Sequence, residues 1–120
     1  MNDDRPFTED SSTSGSALDV LQDNAEVVAG MLRVLAHRDR LLMLCRMSEG
    51  EVSVGQLVEM TGLAQSSVSQ HLAVLREAGA VQVRPEAQTR LYSIADPHVA
   101  AILNALCAAY GPPPGKRAAA

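Results

Sequence analysis

A mainly α domain with a small β-hairpin, in the order α-α-α-α-β-β-α, is the fold that this 120-residue sequence predicts. Three observations carry the prediction. Residues 53–75, SVGQLVEMTGLAQSSVSQHLAVL, read as two short helices around a tight turn, with Val68, Leu72 and Leu75 at helical spacing in the second. Ala78-Gly79 then stops that helix, and two strand-like runs follow over 80–84 and 90–94, separated by Pro85-Glu86-Ala87-Gln88-Thr89. Apolar residues at helical spacing mark further helices on either side of this unit. Helix, turn, helix and hairpin together make a winged helix-turn-helix.

Taken in order, residues 1–16 are rich in Ser, Thr, Asp and Gly and predict a disordered acidic leader. Residues 17–110 form the single folded domain, and GPPPGKRAAA at 111–120 predicts a disordered tail. The first helix, over 17–35, carries Leu18, Leu21, Val27, Val28, Met31, Leu32 and Leu35. The second, over 38–47, sets Leu41, Leu44 and Cys45 at core spacing, with Leu42 and Met43 widening its apolar side. Asp96 and Pro97 open the last helix as N-cap and first-turn proline, and it runs to Tyr110. Its apolar content exceeds what packing on one small domain requires. Leu18 and Leu21 of the first helix, with Val99, Ile102, Leu103, Leu106 and Tyr110 of the last, are therefore the expected two-fold interface of a homodimer.

The second helix of the central pair carries Gln65, Ser66, Ser67, Ser69, Gln70 and His71 opposite its apolar stripe. A helix that only faces solvent favours Glu and Lys there, because Ser is a poor helix former. Short polar side chains suit base edges and phosphates in a major groove, so these six residues are the expected DNA contacts, with Arg84 and Arg90 of the hairpin against the backbone. The net charge of -4 hides an uneven distribution: residues 1–27 carry -6 and the remainder +2. With only Phe7, Tyr92 and Tyr110 as aromatics, stacking on unpaired bases is disfavoured, and duplex DNA is the better partner. No segment resembles a membrane span or a secretory signal, which predicts a cytoplasmic protein without a membrane partner. No paired nucleophile and base and no phosphate loop is present, so an enzyme is not expected.

The stretches LRVLAHRDRLLMLCRM (32–47), SVGQLVEMTGLAQSSVSQHLAVLREAGAVQVR (53–84) and RLYSI (90–94) resemble the ArsR/SmtB family of bacterial repressors. Ser-Gln-His-Leu at 69–72 followed by Leu-Arg-Glu-Ala-Gly at 75–79 is similar to that family's recognition-helix signature. The resemblance implies a dimeric repressor that binds a palindromic operator and leaves it when an inducer acts. It also implies where metal sites would lie. Ser53-Val54-Gly55 stands where arsenite sensors carry Cys-x-Cys, and Ala109 and Pro112 stand where a zinc site begun by Asp96 and His98 would be completed. No metal site and no cofactor is therefore expected, and Asp96 reads as a helix cap.

Cys45 and Cys107, taken alone, read as small hydrophobes. The sulfide-responsive branch of the family, similar to BigR and SqrR, implies more: one cysteine on the second helix and one on the last form a dithiol sensor for reactive sulfur species. Cys45 matches the first position. The partner position lies near Gly111, so Cys107 is displaced by one turn, on the same helical face but roughly 6 Å along the axis. A direct disulfide needs Cα atoms within about 7 Å, whereas a polysulfide bridge spans more. The expected inducer is a persulfide or oxidant acting on Cys45 and Cys107, with Arg38, Arg40 or Arg46 favouring the Cys45 thiolate. The alternative is a metal-responsive repressor with an atypical site that draws on His37, His98 or the partner subunit.

Overall fold

The computed structural model describes residues 16–111. The expected leader and tail lie outside the described residues, apart from Ser16 and Gly111. The chain divides at Leu35 into two compact units, and helix α1 (Ala17–Leu35) is the described part of the first. The Ser16 hydroxyl accepts the Asp19 N–H at 3.0 Å, satisfying one of the donors that open a helix.

The second unit contains α2 (Arg38–Met47), β1 (Val52–Ser53), α3 (Val54–Thr61), α4 (Gln65–Glu77), β2 (Val81–Glu86), β3 (Thr89–Ile94) and α5 (Pro97–Tyr110). Local chemistry sets most of the helix ends. His37 caps α2 by accepting the Asp39 N–H on Nδ1. Ser53 and Gln56 exchange side-chain and backbone hydrogen bonds in a capping box that starts α3, and Gly62, with φ of 74°, ends it in the left-handed conformation. Asp96 accepts the His98 N–H at 2.8 Å to start α5, with Pro97 in the first turn.

Helices α2, α3 and α4 pack on one another and α5 packs on β3. Their inward residues, Met43, Leu44, Leu57, Val68, Leu72 and Leu75, are fully buried. Each such side chain contributes on the order of 2 kcal/mol of burial, which holds α4 at a fixed tilt under its polar face.

Two features depart from the sequence reading. Val52 and Ser53 add a short strand, pairing with Tyr92 and Leu91, so the sheet has the antiparallel order β1-β3-β2. The hairpin is also tighter than expected. Its ladder runs from Val81 opposite Ile94 to Glu86 opposite Thr89, which leaves only Ala87 and Gln88 in the turn. Ala87 takes a positive φ of 56° to close it, and Pro85 is accommodated because β2 is an edge strand. Among the described residues, no helix is long and apolar enough to cross a membrane.

Candidate functional site

On α4 the structure separates two sets of polar residues. Gln65, Ser66, Ser69 and Gln70 are exposed along one face, with Ser67 half-buried at its edge. His71 does not belong to that face. It lies three residues after Val68 and four before Leu75, so it follows the buried stripe, and its ring meets that of His37 with centroids 4.6 Å apart. Burial first, then the His37 and Arg40 charges, holds His71 below the usual histidine range. The expected grouping of His71 with Gln70 on one face is not what the structure shows: His71 is half-buried and faces α2.

The two arginines of the wing differ in their surroundings. The Arg84 guanidinium donates to both carboxylate oxygens of Glu51, at 2.6 and 2.8 Å, and to Glu86 at 2.7 Å. Three of its five N–H donors are engaged by these two carboxylates on a side chain that stays exposed, so Arg84 is paired in this structure rather than free. The same contact holds the Glu51 carboxyl below its usual range and raises Arg84. Arg90, by contrast, has no carboxylate partner among the described residues. It lines a groove of about 240 Å³ with Arg76, Val83 and Pro85. Arg76 was not anticipated as a candidate, although it continues the exposed i, i+3, i+4 row from Ser69 through Ala73.

On α2 and α5 the two thiols meet. Cys45 and Cys107, 62 residues apart, have Sγ atoms separated by 3.7 Å. Cys45 is half-buried and Cys107 exposed. The hydrogen bond with Cys107 raises the Cys45 thiol above its usual range, and burial and the nearby Glu49 charge push in the same direction. The expected arginine assistance is therefore not what governs Cys45. Both sulfurs open into an apolar groove of about 550 Å³ lined by Leu41, Leu42, Leu106 and Tyr110. Gly111 borders the same groove, so the one-turn displacement of Cys107 still keeps its thiol at this site.

The expected dimer residues divide by exposure. Val99 and Leu103 are 0% and 2% exposed within the protomer and belong to its core, which corrects their placement in an interface. Leu106 and Tyr110 are 38% and 86% exposed, Leu18 and Leu21 are exposed, and Ile102 is half-buried. Asp96 is committed to capping, and His98 Nδ1 lies 3.0 Å from its Oδ1. The metal-compatible cluster among the described residues is elsewhere, at His37, Asp39 and His71.

Residues 37–83 match the family model for bacterial regulatory proteins of the arsR family. The chain is 40% identical over 96 residues to a biofilm growth-associated repressor of Agrobacterium fabrum, an alignment covering 80% of this chain and 82% of that protein. Among solved structures, the transcriptional repressor BigR from Xylella fastidiosa aligns with a TM-score of 0.75 at 34% identity, covering 81% of this chain and 99% of that one. Reduced HlyU from Vibrio cholerae aligns with a TM-score of 0.73 at 37% identity, covering 77% and 97%.

Proposed function

The chain belongs to the arsR family of bacterial regulatory proteins, and on that premise we propose that it is a homodimeric transcriptional repressor whose operator binding is released by sulfur chemistry at Cys45 and Cys107. It is a regulator rather than an enzyme, as are the relatives it matches. In this reading the exposed residues of α4 meet base edges, Arg90 and Arg76 meet phosphate, and Leu18, Leu21, Ile102, Leu106 and Tyr110 supply apolar surface to the dimer. Operator palindromy would then mirror the two-fold axis.

The observation that carries the sensing role is the 3.7 Å separation of the two sulfurs at an open groove. Cys107, the more exposed thiol, meets a reagent first. Its thiolate attacks the outer sulfur of an organic persulfide, RSSH, giving the Cys107 persulfide and RSH. The Cys45 thiolate then attacks the Cys107 sulfur and expels hydrogen sulfide, forming a disulfide. If both residues carry persulfides, attack of one on the other expels one molecule of hydrogen sulfide and leaves a trisulfide. Two S–S bonds of about 2.05 Å at an ordinary sulfur angle span roughly 3.3 Å, so the observed separation suits one inserted sulfur with less movement than direct closure. No further oxidant is needed in either case.

The bridge would tie α2 to α5, and α2 packs against α4. A covalent constraint at one end of α2 thus reaches the helix that reads DNA, and a coupling of about 1–3 kcal/mol is enough to empty an operator. The test uses reduced protein and a duplex selected by it from a random library. Organic persulfide should yield an intramolecular bridge by mass spectrometry and release the duplex, and dithiothreitol should reverse both. Cys45→Ser and Cys107→Ser should each bind the duplex and ignore the persulfide. A Cys107→Ser protein that still responds like the parent would remove the two-thiol mechanism.

A further inference from the structure

We propose that His37, Asp39 and His71 form a binding site for a divalent transition-metal ion of the zinc class, joining the first turn of α2 to the flank of α4. One ligand atom from each residue lies within 4.8 Å of the others. The two imidazoles are already in contact, tilted at 56° to one another. Ligand atoms around a tetrahedral ion with metal–nitrogen bonds of about 2.0–2.1 Å stand roughly 3.3 Å apart, so small side-chain rotations close the set. Two imidazoles and one carboxylate, completed by water, suit ions of zinc, cobalt or nickel rather than a hard cation such as magnesium.

The surroundings support such an ion. All three residues are half-buried, which shields the site while leaving water a route to the fourth position. The Arg40 charge acts on His71 against a cation, and the Asp39 carboxylate acts in the opposite sense. Asp39 gives Oδ1 to the exposed Arg38 at 3.1 Å, leaving Oδ2 for a metal. His37 places its Nδ1 lone pair on the Asp39 N–H. Ligation through Nδ1 takes that lone pair, and ligation through Nε2 requires the ring proton to move to Nδ1. Either way the ion competes with the N-cap of α2 and exchanges it for a link to α4. The site shares no residue with the dithiol and stands whether or not that reading holds.

The experiment titrates cobalt(II), and then competes zinc(II) against it, on the full chain carrying Cys45→Ser and Cys107→Ser, so that thiols cannot ligate. One cobalt ion per chain should bind with ligand-field absorption and no thiolate charge-transfer band. His37→Asn keeps a good N-cap side chain while removing the imidazole, and His71→Gln removes the second. Each should weaken cobalt binding by about tenfold or more, since even groups that only support a ligand commonly contribute that much. Absence of stoichiometric binding, binding unchanged in both variants, or binding confined to the chain that retains its cysteines would each overturn the site.

Discussion

The polar face of α4 and the apolar groove between α2 and α5 are both open to water, yet their exposure means different things. Gln65, Ser66, Ser69 and Gln70 lose nothing by being solvated, and they are exposed because Val68, Leu72 and Leu75 anchor the opposite side. Leu42, Leu106 and Tyr110 leave apolar area in water beside two thiols. Such a surface is stabilised by being covered, so the groove side is suited to association and chemistry, the α4 side to reversible polar contact. If this division is right, substitutions on one side should leave the readout of the other unchanged.

The largest effect separates core from surface within α5 itself. Leu103→Asp puts a charge at a position 2% exposed and should lower stability by on the order of 3 kcal/mol or more, seen as a large drop in thermal midpoint. Leu106→Asp, at 38% exposure, should leave the chain folded and shift the proposed dimer toward monomer in sedimentation. An unchanged dimer with Leu106→Asp would move the interface away from the groove side.

The next contrast lies on the DNA side. Gln70→Ala should lower affinity for the selected duplex by about 1–3 kcal/mol while hardly changing affinity for random duplex, and Arg90→Ala should weaken both alike. Arg84→Ala should change DNA affinity least, because Glu51 and Glu86 already hold that guanidinium. All three variants should keep the persulfide response of the reduced parent. Equal losses on both duplexes for Gln70→Ala would take it out of base readout.

How much of this was legible beforehand follows the range of each interaction. Helices α2 to α5 and the buried stripe of α4 are periodic over about ten residues, and the sequence displays that period directly. A two-residue strand such as β1 has no period to display, and it exists only because β3 is there to pair with. Adjacent residues on a helix point about 100° apart, so Gln70 and His71 look alike in sequence, but Gln70 is exposed to solvent and His71 faces α2. Arg84 looks like a free wing cation until Glu51, 33 residues earlier, comes beside it. The thiol pair spans 62 residues, and only the family resemblance suggested that Cys45 and Cys107 should meet.

The smallest effect concerns the wing tip, where a connection over Pro85 to Thr89 was expected and a turn of Ala87 and Gln88 is found. A two-residue hairpin turn commonly needs positive φ at its first central position, which explains why Asn and Gly dominate there. Ala87 meets that requirement with φ of 56°, at a penalty of roughly 1–2 kcal/mol for a residue with a Cβ. Glycine removes the penalty but gives up roughly 0.5–1 kcal/mol through the greater freedom of the unfolded chain. Ala87→Gly should therefore raise stability by no more than about 1.5 kcal/mol, measured by denaturant midpoint at constant m-value. Because Ala87 sits in the turn of the hairpin and does not line the thiol groove, duplex preference and persulfide response should both be retained. A clear loss of stability would mean that the wing closes in solution by the longer loop, freeing Pro85 and Glu86 from β2 and loosening the hold of Glu86 on Arg84.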